Sequence, residues 1–204
     1  MNKVMSRSMV LAAAIAVAGT SQAVTFSNFV ITGDASVIGA LGVDHFVNTW
    51  ASDVDFTFNK AWVGDNLPLR SSTINITYLA TAGANEVITG IALAGNALAL
   101  GSGIVSVSEI VEDLNDFTNG GTTGVVVTSS TSGSFNSVAQ LLRPATHIKV
   151  KKTIFLDATP NTQAVDLAAI GLVEQRALTV VPEPATMAAL GLGIAAMVRR
   201  RRSK

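Results

Sequence analysis

His45 and His147 are the only imidazoles in the chain, and a catalytic or zinc-binding role would fall on them first. His45 follows Asp44, but neither histidine belongs to the His-x-x-x-His or His-Glu-x-x-His pairs that set two ring nitrogens on one helix face. There is no Gly-x-Ser-x-Gly elbow and no phosphate-binding loop. Cysteine is absent, which removes disulfides, thiolate zinc sites and a thiol nucleophile together. Catalysis needs a placed nucleophile, base or metal, so the expectation is a protein that is not an enzyme and carries no cofactor. Carboxylates are the remaining polar candidates. Asp53 and Asp55 lie two apart, on the polar face of one strand. Glu112, Asp113, Asn115 and Asp116 form a denser group of oxygen donors, the kind calcium takes about six to eight of. Their spacing matches no calcium loop, so calcium is only a candidate there and no metal is expected elsewhere. Trp50, Trp62 and Tyr78 offer flat apolar faces on which a sugar ring could stack, with core packing as the competing use.

The elements that position these residues read mostly as strands. Val54, Phe56 and Phe58 alternate with Asp53, Asp55 and Thr57, and Ile74, Ile76 and Tyr78 with Thr73, Asn75 and Thr77. Ile148 and Val150 alternate with Lys149 and Lys151, and Lys152 then reads as an extra residue, a bulge before Ile154 and Leu156. Period two puts one face in a core and the other in water. Phe26–Ile31, Val87–Leu93, Ile104–Val111 and Val125–Thr128 are rich in β-branched residues. Eight or nine such strands predict an all-β fold, an antiparallel sandwich of jelly-roll or immunoglobulin-like kind. Ser108–Phe117 puts Ile110, Leu114 and Phe117 on one helical stripe, so it reads either as a short helix or as a strand end entering an acidic turn. Gln163–Leu178 mixes helix formers with the alternation of Val165, Leu167 and Ala169, and is assigned as the last strand. Thr118–Ser137, dominated by Ser, Thr, Gly and Asn, predicts exposed loops around one strand at Val125–Val127.

The charge balance, 14 basic against 14 acidic residues, offers no basic face for nucleic acid and conceals a segregation. Lys3 and Arg7 precede an uncharged run, Met9–Ala18. Gly19 then breaks its helix, and Ser21-Gln22-Ala23 places small residues at positions −3 and −1 of a cleavage site. This is the layout of a secretory signal peptide over residues 1–23, cut by signal peptidase after Ala23. At the other end Arg199, Arg200, Arg201, Arg202 and Lys204 face one acid, Glu183, so the stretch between the two ends is net acidic. A mean hydropathy of +0.45 with 14% charged residues agrees with membrane-seeking ends.

Val181-Pro182-Glu183-Pro184 is followed by an uncharged apolar stretch, Ala185–Val198, and then at once by the four arginines. The prolines keep the entry extended and open to an enzyme. A helix over 185–198 reaches about 21 Å, short of the roughly 30 Å hydrocarbon core it must cross, so it spans only with local thinning. Arginines at 199–202 stop transfer and hold the end in the cytoplasm. The triple of Pro-Glu-Pro, short apolar helix and terminal arginine cluster resembles the PEP-CTERM sorting signal over 181–204. The resemblance implies processing near Pro182, Glu183 and Pro184 by an exosortase, a membrane-embedded transpeptidase-like enzyme of Gram-negative bacteria that make exopolysaccharide.

The expected organisation is a signal helix (1–23), an exported sandwich (24–180) and a sorting signal with one membrane helix (181–204). The expected role is a secreted structural or adhesive protein of the envelope or biofilm matrix, anchored transiently in the inner membrane. The alternative is a carbohydrate-binding or weakly hydrolytic domain delivered by the same signals. Partners on either reading are signal peptidase, an exosortase, the inner membrane and exopolysaccharide.

Overall fold

A computed structural model describes residues 23–159 and 165–181. The signal helix, Pro182–Pro184, the helix expected at 185–198 and Arg199–Arg202 lie outside the described residues. The order of elements is β1 (Thr25–Thr32), α1 (Ala35–Ile38), β2 (His45–Trp50), β3 (Asp53–Phe58), β4 (Trp62–Gly64), β5 (Ser71–Thr81), β6 (Val87–Leu100), β7 (Ile104–Asp113), β8 (Gly120–Val127), β9 (Gly133–Ala145), β10 (His147–Asp157) and β11 (Leu167–Val180). Two antiparallel sheets pack face to face. One runs β1-β5-β10-β7-β8 and the other β2-β3-β11-β6-β9, with β4 continuing beside β11. The all-β sandwich expected from alternation is what forms. Among the described residues no helix is long and apolar enough to cross a membrane.

Alternation decides which side chains meet between the sheets. Ile74, Ile76, Tyr78 and Ala80 of β5 and Ile148, Val150, Ile154 and Leu156 of β10 line one inner face. Val54, Phe56 and Phe58 of β3, Ile91 and Leu93 of β6, and Val173 of β11 line the other. Phe26, Phe29, Phe56 and Tyr78 form an aromatic knot with ring centroids 5.6 to 6.1 Å apart. A register shift between Ser27 and Val30, with Asn28 at φ 56°, brings both Phe26 and Phe29 inward.

Two expectations about these elements change, and two others gain detail. Lys152 makes no bulge: β10 keeps unbroken register with both β5 and β7 across it. The inward series runs Ile148, Val150, Lys152, Ile154, Leu156, so the lysine occupies a core position in phase. The irregularity lies in β11 instead, between Ile170 and Leu172, where it switches the inward set from Ala168 and Ile170 to Val173 and Gln175. Leu167 and Ala169, whose alternation marked this strand, are thus the more exposed of its first residues. Of the two readings of Ser108–Phe117, the strand end forms: β7 continues through Asp113, leaving Ile110 and Phe117 exposed while Glu109 is buried. Thr118–Ser137 is not loop around one short strand. Gly120–Val127 forms all of β8, and β9 starts at Gly133.

Small residues permit close approach at the β6–β7 turn. A Cβ on Gly103 would lie 1.9 Å from the Leu167 carbonyl oxygen, and that oxygen belongs to a backbone with no freedom to retreat. Gly103→Ala is therefore expected to destabilise the fold by about 1–3 kcal/mol, read as a lower Tm. Gly133→Ala, where a Cβ meets nothing within 4 Å but φ is +126°, tests backbone strain alone.

Candidate functional site

Sheet β2-β3-β11-β6-β9 turns its outer face to solvent, and strand register decides what stands on it. Trp50 lies opposite Asp53, Asp53 opposite Arg176, and Arg176 opposite Ala92. In the next row Asn48 faces Asp55, Asp55 faces Glu174, and Glu174 faces Ala94. Because paired residues share a face, these rows stack into one surface. They line a groove of about 350 Å³ formed by Trp50, Asp53, Asp55, Ala92, Ala94, Glu174, Gln175 and Arg176. The alanines of β6 leave the floor low, and Trp50, 56% exposed at the end of the β2–β3 hairpin, forms a wall.

The groove is polar in an ordered way. Arg176 donates from Nε to Asp53 Oδ1 at 2.8 Å and from Nη2 to Asp53 Oδ2 at 3.4 Å, a fork that fixes both groups in one plane. The bond to Asp53 also holds the Arg176 guanidinium above its usual pKa. Asp55 faces Glu174 directly. Its carboxyl is pushed above the ordinary value, first by partial burial, then by the charge of Glu174 and that of Asp53. A folded pKa above the unfolded one means that the native state binds the proton more readily. The stability contribution of Asp55 therefore falls as pH rises through the carboxylate range and is unfavourable at neutrality. Asp55→Asn is expected to raise Tm slightly at pH 7, with the gain shrinking toward pH 3; an unchanged Tm at pH 7 would argue against the repulsion. Carboxylates that accept, a guanidinium that donates and an indole that stacks together suit a polyhydroxylated ring.

The remaining candidates lie as follows. Trp62 is 46% exposed on β4 and stands opposite Ala169, itself opposite Leu98, on the same outer face as Trp50. Counted along β11 from Arg176 to Ala169, the two tryptophan rows are separated by about 20 Å. Tyr78 is fully buried between the sheets and belongs to no platform. His45 is buried with Nδ1 2.9 Å from the Ile38 carbonyl oxygen, and Asp44 is engaged by Lys60 at 2.7 Å. His147 is exposed beside Thr146. The acidic group of β7 is dispersed. Alternation sends Glu112 to the outer face, where Lys151 pairs with it at 2.5 Å. Asp113 turns inward and accepts from Asn119 Nδ2 and the Asn115 amide, both at 2.9 Å. Asn115 reaches Thr146, and Asp116 is held by Thr118 and Arg143, which keep its carboxyl below the usual value. Among the described residues no three acidic or histidine side chains converge on one point.

The sequence singled out Asp53 and Asp55 together on one strand face, and Trp50 separately from them. Glu174, Arg176, Ala92 and Ala94 went unnoticed, since their only signal is the register of β11 with β3 and β6. A buried cluster was missed altogether. Lys152 Nζ donates to Glu109 Oε2 at 2.6 Å, and Gln175 Nε2 donates to the same oxygen at 2.5 Å. Both charged side chains are completely buried.

Residues 180–202 match the family model of the PEP-CTERM protein-sorting motif, so the chain carries this sorting signal, and the motif implies exosortase processing and export to the cell envelope. No curated protein matches the chain. Among solved structures, TmCBM61 in complex with β-1,4-galactotriose is similar at a TM-score of 0.39 and 14% identity, covering 74% of this chain and 90% of that one. The enzymatically active domain of bacteriophage CBA120 tailspike protein 4 is similar at 0.31 and 10% identity, covering 78% of this chain and 19% of that one. At these scores both likenesses are loose.

Proposed function

We propose that this chain is an exported, non-enzymatic surface protein that is sorted by an exosortase and contacts extracellular polysaccharide through the Trp50 groove. One observation carries the reading: an exposed tryptophan lines one groove with the carboxylates of Asp53, Asp55 and Glu174 and an arginine paired to Asp53. Trp62, further along the same face, suits a polymer longer than one ring. Such contact gives the structural or adhesive role in a biofilm matrix a molecular basis, with no bond made or broken by the chain itself. The sandwich is read as a jelly roll. Support comes from the order β3-β11-β6-β9 facing β5-β10-β7-β8, in which sequential strands pass between sheets as two Greek keys.

Delivery follows the two ends. Signal peptidase cuts after Ala23, the apolar stretch 185–198 pauses in the inner membrane against Arg199–Arg202, and the exosortase acts near Pro182–Pro184. Mass spectrometry of the termini in producing cells is the test: a mature chain starting after Ala23 and lacking the arginines is expected. Arginines retained in cells with an active exosortase would leave a permanent membrane anchor instead. For the groove, binding to exopolysaccharide by the folded protein is expected. No retention on any neutral or acidic polysaccharide would leave a purely structural role.

A further inference from the structure

Three polar side chains meet between the sheets where only apolar ones are expected. Lys152 comes from β10 and Glu109 from β7, directly opposite it in register; Gln175 comes from β11 in the facing sheet. The amine and the side-chain amide both donate to Glu109 Oε2, so one carboxylate holds them side by side. Other atoms here lack partners: Glu109 Oε1, Gln175 Oε1 and the hydroxyl of Tyr78 on the strand beside β10. Buried polar atoms are nearly always satisfied, and this grouping of exceptions asks for a chemical reason.

We propose that Lys152, Glu109 and Gln175 form a self-cross-linking site, in which the lysine amine displaces ammonia from the glutamine amide and joins the two sheets by an isopeptide bond. Lys152 Nζ attacks Gln175 Cδ, the Nζ–Cδ bond forms and the Cδ–Nε2 bond breaks. Glu109 takes protons from the attacking nitrogen and returns one to the departing Nε2, which leaves as ammonia. Starting from the ammonium–carboxylate pair, the products are one secondary amide, one neutral Glu109 carboxylic acid and one ammonia, so atoms, protons and charge balance without any co-reactant. Burial lowers the basicity of Lys152 against the opposing pull of Glu109, which favours the neutral, nucleophilic amine. Tyr78, fully buried and within reach of the Glu109 charge, adds a hydroxyl without a partner to the same interior. One amide is exchanged for another, and a buried ion pair with its desolvation cost disappears. Such a staple suits a chain that has no cysteine.

Peptide mapping of the folded full-length protein by mass spectrometry tests this. A branched peptide joining the segments around Lys152 and Gln175, lighter by one ammonia than their sum, is expected. Lys152→Met and Gln175→Leu each yield only linear peptides. Gln175→Leu keeps the ion pair, so it covers the case in which Lys152→Met fails to fold. Glu109→Gln is expected to slow or abolish the link, and unchanged linking in that variant overturns the role given to the carboxylate. Unmodified Lys152 and Gln175 in the folded protein overturn the proposal. So does loss of water between Lys152 and Glu109, or loss of ammonia confined to Asn119-Gly120 without a branched peptide.

Discussion

Glu109→Ala lowers stability by about 3–5 kcal/mol, because it strands the Lys152 ammonium in a fully buried site with no counter-charge. For a domain of this size that is on the order of 10 °C in Tm. The comparison is best made in a Gln175→Met background, where no side-chain amide is present and only the ion pair is read. There the double replacement Lys152→Met with Glu109→Leu recovers most of the loss, since apolar groups of similar volume carry no desolvation penalty. The pH dependence has a definite sign. A buried lysine whose folded pKa is depressed costs stability in full below that pKa, and the cost is relieved as pH rises from there to the ordinary lysine value. Glu109→Ala should therefore regain stability in alkali relative to the parent. Equal Tm values for Glu109→Ala and its parent across pH would show that the pair does not lie in a dry core.

Trp50→Ala costs about 2 kcal/mol or more of glycan binding, roughly a thirtyfold rise in Kd, as expected of an aromatic anchor at the wall of a groove. Stability should move by no more than about 0.5 kcal/mol, because Trp50 is more than half exposed and supports no core contact that its loss would leave hollow. Trp62→Ala on the same face is expected to weaken long polymers more than short oligosaccharides. Arg176→Ala, which frees Asp53 and leaves three carboxylates unbalanced, should weaken binding of acidic polymers most. Titration of the folded protein with defined oligosaccharides separates these cases. Unaltered affinity in Trp50→Ala would remove the groove as the contact.

Period two was enough to reveal a sandwich. Val54, Phe56 and Phe58, or Ile74, Ile76 and Tyr78, announce a strand because alternate side chains must take opposite faces. It misled where polarity and burial parted company. Lys152 looked like a phase break because lysine is seldom a core residue, yet its number places it in phase with Ile148 and Leu156. Glu109, also a charged side chain, is likewise buried on β7. Each is tolerated inside only because the other, 43 residues away in sequence, arrives opposite it. Thr118–Ser137 misled differently, since glycines and hydroxyl residues that read as loop are accommodated in a strand at the sheet edge, where β8 lies against β7.

What the chain's order of residues determined alone is local and linear: strand faces set by alternation, and a sorting signal read from a contiguous string of prolines, apolar residues and arginines. Those features need no partner from elsewhere in the chain. The groove and the buried triad are different in kind. Asp53 meets Arg176, and Lys152 meets Glu109 and Gln175, only after β11 and β10 have paired with strands distant in sequence. Register between such strands follows from the whole packed core, so tertiary structure alone decided which polar groups became neighbours.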